Sequence, residues 1–398
     1  MRFLLSFLNP TSLLLLLVAS LVFPLAPPIS AAPDYWVYFG TYTGGKSQGI
    51  EAARLDAAGR LSEPSLAATT TNPCFLAVDP THRFLYAVNE VKNHAGQRQG
   101  NVTAYSINGQ TGTLTKLNEQ SSGGDVLCHI QVDATGKTVL VASYGGGSVS
   151  ALPVDPDGSL GQVASFIQHH GSSVNPANQK GPHAHCIVTD PGNRFALTCD
   201  LGLDKVLVYK LDASDATLTA NTPACATLTP GFGPRHLAFH PNGKFVYVIS
   251  EMGCCITVFD YAADRGELSE IQTISTLPAG QKNDPSFSGA EVVVHPSGKF
   301  LYSSTRGLDR INLFSIDEKT GRLAHVEDVS SGGKTPRSFN LDPTGRFLIA
   351  ANQNLNNVVV FQVNSETGHL TPTGQTVEVG SPSCVVFVPA QSPAIQIY

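Results

Sequence analysis

Short apolar runs, each about the length of a β-strand, alternate along the chain with brief polar turns. One turn motif starts with Asp or His and leads into a new apolar run. It occurs at residues 79–86 (DPTHRFLY), 133–140 (DATGKTVL), 190–197 (DPGNRFAL), 240–247 (HPNGKFVY), 295–302 (HPSGKFLY) and 342–349 (DPTGRFLI). These motifs start 54, 57, 50, 55 and 47 residues apart. A period near fifty residues indicates the repeated units of a propeller or a solenoid.

Each repeat contains four strand-like segments. The turn motif joins two apolar segments, as at residues 75–78 and 84–88. A third apolar segment follows, such as residues 102–105, and a more polar fourth segment leads into the next repeat. The long apolar stripes that a solenoid of helices needs are missing from this pattern. Four antiparallel strands per repeat therefore predict the blades of a β-propeller.

The two ends of the chain hold incomplete repeats. Residues 384–389 are typical of a first strand with nothing after it, whereas residues 36–40 and 49–52 are typical of later strands without a first. Together they make a seventh blade that closes the ring and removes its open sheet edge. We predict an all-β fold, a single seven-bladed β-propeller domain over residues 32–398, with its N- and C-terminal strands in one blade.

The first 31 residues have the pattern of a signal peptide. Arg2 precedes the apolar residues 13–18, and the small residues 30–32 form a cleavage site. Three prolines interrupt the segment too early for a good membrane span, although an uncleaved anchor is the alternative. We therefore predict export to the periplasm or the extracellular space, with no membrane span after cleavage.

Composition narrows the choice of partners. Hydrophobic residues make up 42% of the 398, enough for a large core, while charged residues are only 14%, which disfavours coiled coils. The net charge is −6 and no basic block occurs, so nucleic acid is not an expected partner. The eight cysteines contain no Cys-x-x-Cys spacing, so a zinc ribbon is not supported, and their pairing stays open.

Aligning the repeats brings polar residues to one end of the channel. One set stands at the start of the first strand of a blade, and the other stands at the end of the second strand. Because these two ends are neighbours in an antiparallel hairpin, the sets converge on one mouth. The first set contains His185, Arg235 and Arg337, and the second contains Glu90, Glu251 and Arg306. His236 and Glu291 stand one position after the first set.

Two further motifs have more than one interpretation. His183 and His185 are predicted to lie on one face of a strand, where imidazoles two residues apart serve catalysis, substrate binding, metal binding or structural hydrogen bonding. Residues 40–47 (GTYTGGKS) match the phosphate-binding loop pattern, which needs a helix after it. The repeat register instead predicts a strand at residues 50–55, so nucleotide binding is disfavoured.

Several segments resemble the lactonase family of seven-bladed propellers, which includes bacterial 6-phosphogluconolactonases and fungal carboxy-muconate cyclases. They are residues 181–185 (GPHAH), 233–239 (GPRHLAF), 290–292 (AEV), 304–307 (STRG) and 351–354 (ANQN). The resemblance implies lactone chemistry. It places the acid–base and anion-binding roles on His185 (with His183), Arg235, Glu251 and Arg306.

The resulting hypothesis is a carboxylic ester hydrolase that opens a sugar lactone. Glu251 or His185 is the general base, and Arg235 and Arg306 stabilise the developing negative charge. His183, His236, Glu90, Arg337 and Glu291 are the expected substrate-binding residues.

The hypothesis needs no metal and no cofactor, and its expected partner is a small lactone or sugar acid. Export favours an unphosphorylated substrate. The alternatives are a cycloisomerase of the muconate type, a non-catalytic propeller that binds a ligand or protein, and a quinone- or metal-dependent dehydrogenase.

Overall fold

The computed structural model describes residues 34–91 and 100–391, and these form seven four-stranded antiparallel sheets. This confirms the predicted seven-bladed β-propeller. Blade 1 contains β4 (Pro73–Val78), β5 (Phe84–Asn89), β6 (Asn101–Ile107) and β7 (Leu114–Ser121). Blade 2 contains β8 (Leu127–Val132), β9 (Thr138–Ser143), β10 (Ser148–Pro153) and β11 (Ser165–Gln168). Blade 3 contains β12 (Ala184–Thr189), β13 (Phe195–Asp200), β14 (Lys205–Asp212) and β15 (Thr217–Thr227).

The remaining blades repeat the same strand order. Blade 4 contains β16 (Pro234–Phe239), β17 (Phe245–Ser250), β18 (Cys255–Ala262) and β19 (Glu267–Ser275). Blade 5 contains β20 (Ser288–Val294), β21 (Phe300–Arg306), β22 (Arg310–Ile316) and β23 (Leu323–Ser330). Blade 6 contains β24 (Pro336–Leu341), β25 (Phe347–Asn352), β26 (Asn357–Val363) and β27 (Leu370–Glu378), with a short 3-10 helix at Gln353–Leu355.

Blade 7 joins the two ends of the propeller. It contains β28 (Pro382–Pro389), β1 (Tyr35–Thr41), β2 (Gly49–Leu55) and β3 (Ser65–Thr69), in that order across the sheet. β1 pairs with β28, with Tyr35 opposite Pro389, so the first strand of blade 7 is the last strand of the chain. The predicted closure is therefore confirmed. The predicted signal peptide lies outside the described residues.

The repeated turns hold the blades by two devices. Asp79 turns the chain with its own carboxylate, which accepts hydrogen bonds from the Arg83 and Phe84 amides at 2.8 and 2.7 Å. His240, in the same position of another blade, donates from Nε2 to the Gly298 carbonyl of the next blade's turn at 2.9 Å. The aspartates and histidines of the motif are thus structural, as their position in the repeat predicts.

The core lies between the blades. Apolar side chains of facing sheets fill each interface, and the phenols of Tyr86, Tyr247 and Tyr302 each donate to a carbonyl in the next blade. All eight cysteines are free thiols, seven of them buried as small apolar groups. No helix of the described residues is long and apolar enough to cross a membrane.

The segment that matches the phosphate-loop pattern belongs to blade 7. Residues 40–47 lead into β2 (Gly49–Leu55), a strand rather than the helix that a phosphate-binding loop requires. Lys46 is exposed and forms an ion pair with Glu378 on the outer strand of the neighbouring blade. The strand predicted at residues 50–55 is confirmed.

A β-bulge interrupts the first strand of every blade near the channel mouth. In β16, for example, Pro234 and His236 pair with consecutive residues of β17, which leaves Arg235 unpaired. A bulge removes the strict alternation of side chains, so neighbouring residues can both face the channel. The bulged residues are Cys74, Cys128, His185, Arg235, Ala290 with Glu291, Arg337 and Ser383.

Candidate active site at the channel mouth

A cavity of about 190 Å³ opens at one end of the channel. Its walls come from bulged residues of the first strands and from residues at or just beyond the ends of the second strands. The lining residues are Glu90, Val126, Cys128, Tyr144, His185, Glu251, Arg306 and Arg337. Five of these were predicted from the repeat alignment, so the expected convergence on one mouth is found.

Glu251 is at the centre of the charged cluster. Its Oε2 lies 3.0 Å from Nη2 of Arg306 and 3.1 Å from Nε of Arg235. Both contacts are ion pairs, and the Nε–H groups of Arg235 and Arg306 have no well-aligned hydrogen-bond acceptor among the described residues. Oε2 is the carboxylate oxygen closest to each guanidinium, so Oε1 is the oxygen more available to a substrate or a water.

The arginines keep Glu251 ionised. Burial raises the pKa of the Glu251 carboxyl, but the charges of Arg306, Arg235 and Arg337 together outweigh burial and hold this pKa below its ordinary value. Arg235 lies behind the cavity wall, where its Nη1 donates to the Ala290 carbonyl at 2.6 Å. Burial, followed by repulsion from Arg306 and Arg337, lowers the pKa of Arg235 to about 10, so it is still a cation at neutral pH.

His185 lies beside this ion pair as a neutral imidazole. Its Nε2 is 3.8 Å from Oε2 of Glu251, and its buried Nδ1 has no hydrogen-bond partner among the described residues. Burial, reinforced by the charge of Arg235, holds the pKa of His185 well below its ordinary value. A neutral imidazole next to an ionised carboxylate is able to accept a hydrogen bond from a substrate hydroxyl or a water.

Arg337 and Glu90 form a second charged group at the mouth. Arg337 forms no direct ion pair with a carboxylate of the described residues. Its Nη2 donates to the Tyr42 hydroxyl at 3.1 Å, and Tyr42 in turn donates to Oε2 of Glu90 at 2.6 Å. The Arg337 guanidinium also lies 5.5 Å from the centre of the Tyr42 ring. Arg337 is thus positioned by a phenol and keeps most of its donors for other partners.

His236 and Glu291 lie deeper in the channel and pair with each other. His236 Nδ1 is 2.8 Å from Oε1 of Glu291, and Ser338 donates to Oε2 at 3.2 Å. Burial raises the pKa of Glu291 to about 7 and, with the charge of Arg235, lowers that of His236. Neither residue lines the cavity. The structure therefore places these two predicted substrate-binding residues beneath the mouth.

His183 lies on the rim and not in the strand. β12 begins at Ala184, so His183 lies one residue before the strand, whereas His185 is the bulged residue within it. His183 stacks on Tyr144 at 4.5 Å, while His185 meets the same ring edge-on at 5.4 Å. Within residues 34–91 and 100–391, no group of three or more His, Cys, Asp or Glu side chains could hold a metal ion.

The charge pattern of the sequence missed three lining residues, Tyr144, Cys128 and Val126, and also Tyr42, which contacts Arg337. Tyr144 occupies the same repeat position as Glu251 and Glu90, and Cys128 the same position as His185, so the alignment contained the signal. Neither residue carries a charge, whereas the residues predicted for the mouth are carboxylates, guanidiniums and imidazoles. Tyr42, which holds Arg337, shares the position of Tyr144 in blade 7. Val126 precedes β8 and has no equivalent in that alignment.

Buried imidazoles predict a loss of stability in mild acid. Burial holds the pKa values of His129, His185 and His236 well below 6.5 in the folded chain, while the unfolded chain takes up these protons near pH 6.5. Stability from these groups is present above pH 6.5 and falls as the pH drops. Glu291, with its pKa raised to about 7, opposes this trend, but it is one group against three.

We therefore expect the melting temperature to fall between pH 6.5 and pH 5. A His129→Phe variant flattens this dependence, because the 129 side chain packs against Phe75 and His236 without a charge partner. Thermal unfolding followed by circular dichroism at both pH values checks the expectation. An unchanged or higher melting temperature at pH 5 contradicts it.

Comparisons with known proteins agree with this fold. A sequence model of the family described as "Lactonase, 7-bladed beta-propeller" matches residues 36–387. The chain is 39% identical over 355 residues to a protein named 6-phosphogluconolactonase from Bacillus subtilis (strain 168), a match that covers 89% of this chain and 98% of the relative.

The solved structures include a close match as well. The periplasmic gluconolactonase of Pseudomonas aeruginosa superposes with a TM-score of 0.84 at 34% sequence identity, covering 90% of this chain and 100% of the other. A second relative named 6-phosphogluconolactonase, from Formosa agariphila, is 34% identical over 275 residues, which are 68% of this chain and 75% of the relative.

Proposed function

Because the chain belongs to the lactonase family of seven-bladed β-propellers, we propose that it is a hydrolase that opens a sugar lactone at the channel mouth. The observation that carries the proposal is the arrangement of Glu251. Its carboxylate lies against two arginines, both closest to Oε2, and beside the neutral imidazole of His185. This arrangement supplies an ionised base, a hydrogen-bonding imidazole and cationic groups within one small cavity.

In the proposed reaction, Glu251 acts as the general base. Oε1 takes a proton from a water molecule while the water oxygen bonds to the lactone carbonyl carbon, and the carbonyl becomes an oxyanion. The C–O bond of the ring then breaks, the ring oxygen receives the proton from Glu251, and the product is an aldonic acid that ionises. His185 would orient a substrate hydroxyl or the attacking water.

The arginines would stabilise the oxyanion. Arg306 is fixed by Glu251 and by the Gly289 carbonyl, and Arg337 by Tyr42, so neither needs to reorganise as charge develops. Planar guanidinium groups suit oxyanions because they donate two parallel hydrogen bonds. Arg235 would act from behind, by keeping Glu251 ionised and in place.

We further propose an unphosphorylated lactone as the substrate. Arg306 is paired with Glu251, which leaves Arg337 as the one lining guanidinium of the described residues without a carboxylate partner, whereas a dianionic phosphate is best bound by several such cations. The proposal includes export of the protein, which the predicted signal peptide supports. An exported enzyme does not meet a phosphorylated intermediate, because such a compound stays inside the cell.

A pH-stat assay tests the proposed function. Hydrolysis of glucono-δ-lactone releases one proton and forms gluconate for each ring opened, whereas a binding protein releases none and a cycloisomerase that opens the ring forms an unsaturated acid instead of gluconate. We expect a rate above the spontaneous one, and a kcat/KM for glucono-δ-lactone above that for its 6-phosphate. No enzymatic acid release from any sugar lactone would refute the hydrolase, and a strong preference for the 6-phosphate would refute the substrate class.

The pH dependence of the rate follows from Glu251. Because its pKa is held below the ordinary carboxyl value, the base is ionised throughout the neutral range, and activity is lost only as the pH falls below about 4.5. Initial rates from pH 3.5 to 7, corrected for spontaneous opening and with folding monitored at each pH, measure this limb. An acid limb centred above pH 5.5 would point to another base.

A further inference from the structure

A second groove adjoins the mouth and shares Glu251 with it. Its volume is about 470 Å³, larger than the cavity itself, and Met252, the residue after Glu251, forms part of its wall. We propose that this groove binds a second sugar residue, so that the preferred substrate is the lactone of a disaccharide acid. The inference rests on the proposed lactonase function and deepens it by naming the substrate class.

The groove is built on a fixed scaffold. Its walls come from the loop between β11 and β12, the loop before β16 and the loop between β19 and β20. Asp204 ties two of these walls together. Its carboxylate accepts hydrogen bonds from the Gly231 and Gly233 amides, each at 2.7 Å, and from the Ser173 hydroxyl at 2.5 Å. A ligand therefore meets a preformed surface, which reduces the cost of binding.

The polar groups of the groove are neutral amides with spare hydrogen-bonding capacity. Nδ2 of Asn175 and Nδ2 of Asn178 donate to the Met252 sulfur at 3.3 and 3.6 Å, and a thioether is a weak acceptor. Asn283 donates to the Met252 carbonyl at 2.8 Å. Oδ1 of Asn175 already accepts hydrogen bonds from the Ala177 and Asn178 amides, so this residue offers its donor hydrogens, while Asn178 and Asn283 offer both donors and an acceptor oxygen to the hydroxyl groups of a sugar.

The remaining lining selects against anions and supplies apolar contact. Asp284 is the one charged residue besides Glu251 among those that line the groove, which contains no Lys or Arg to attract a phosphate or carboxylate. Phe287 and Pro285 add apolar surface beside Met252. A hexose presents hydroxyls at its edge and C–H groups on its faces, so it is complementary to amides and apolar groups together.

The test compares lactones with and without the second sugar. We expect at least one of the 1→2-, 1→4- and 1→6-linked glucosylgluconolactones to exceed glucono-δ-lactone in kcat/KM. In Phe287→Ala the ratio of the two kcat/KM values falls about tenfold, the effect of losing one large apolar contact. Phe166→Ala is the matched control, because Phe166 is an exposed phenylalanine of β11 that does not line the groove, and its ratio stays at the wild-type value.

Asn178→Ala provides a second variant, because Asn178 is exposed and its replacement leaves the fold intact. A ratio at or below one for all three disaccharide lactones, or a ratio unchanged in both groove variants, overturns the inference. Titration calorimetry with the three glucosylgluconates, the ring-opened forms of these lactones, measures binding and so tests the groove separately from the lactonase proposal. If no lactone is hydrolysed, saturable binding that weakens in Phe287→Ala still supports the groove, and absence of binding refutes it.

Discussion

Glu251→Gln lowers the kcat/KM for lactone hydrolysis by about 10²–10⁴-fold, the usual contribution of a general base. Glutamine keeps the shape of the side chain but cannot take a proton from water. It also removes the negative charge that Arg235 and Arg306 share, so two guanidiniums are left facing each other at the mouth. A pH-stat assay of the purified variant, with its fold checked by circular dichroism, gives the measurement.

Glu90→Gln is the matched control for this prediction. Glu90 also lines the cavity, and its Oε2 accepts a hydrogen bond from the Tyr42 hydroxyl, but it forms no ion pair with an arginine of residues 34–91 or 100–391. We expect a much smaller loss of activity in this variant than in Glu251→Gln. Wild-type activity in Glu251→Gln would show that another group is the base, and equal losses in the two variants would point to a general effect of charge.

Arg235→Met destabilises the propeller by about 1–3 kcal/mol, because it leaves the buried Ala290 carbonyl without its donor and leaves Glu251 with one of its two guanidinium partners. Arg235 is 2% exposed, so its positive charge depends on protein groups for solvation. Methionine fills a similar space but removes the donor that binds the Ala290 carbonyl and the cation next to Glu251. Urea unfolding measures the free-energy difference, and the activity falls together with it.

Arg60→Met shows whether this loss is specific to the mouth. Arg60 is exposed and pairs with Asp56 on the surface, where ion pairs contribute little to stability. We expect its urea midpoint to match that of the wild type. If Arg235→Met also unfolds at the wild-type midpoint, the buried pair does not hold the mouth together, and the role assigned to Arg235 is wrong.

Repetition made the fold predictable. The turn motif recurs because each blade needs the same Asp- or His-capped hairpin, and the incomplete repeats at the chain ends combine into blade 7 as expected. The same repetition aligned Glu251 with Arg235 across one hairpin, and the two lie 3.1 Å apart. Residues at equivalent positions of a closed ring must lie close together at one end of the channel, so the sequence alone predicts that Glu251 and Arg235 meet at the mouth.

Two features of the site were beyond the sequence pattern. The bulges orient Arg235 toward Glu251 and His236 toward Glu291, which lies deeper in the channel. A simple alternation of strand residues does not predict these directions. The loop between β11 and β12 is the longest of those that join one blade to the next. Its contacts with Met252, which create the second groove, depend on tertiary packing alone.

A crystal structure with glucono-δ-lactam, a stable analogue of the lactone, tests the site most directly. We expect the lactam in the channel mouth, with its carbonyl oxygen within hydrogen-bond distance of Arg306 or Arg337 and a water molecule between Oε1 of Glu251 and the carbonyl carbon. A lactam bound away from the mouth, or one whose carbonyl faces away from all three residues, would contradict the proposed catalytic arrangement.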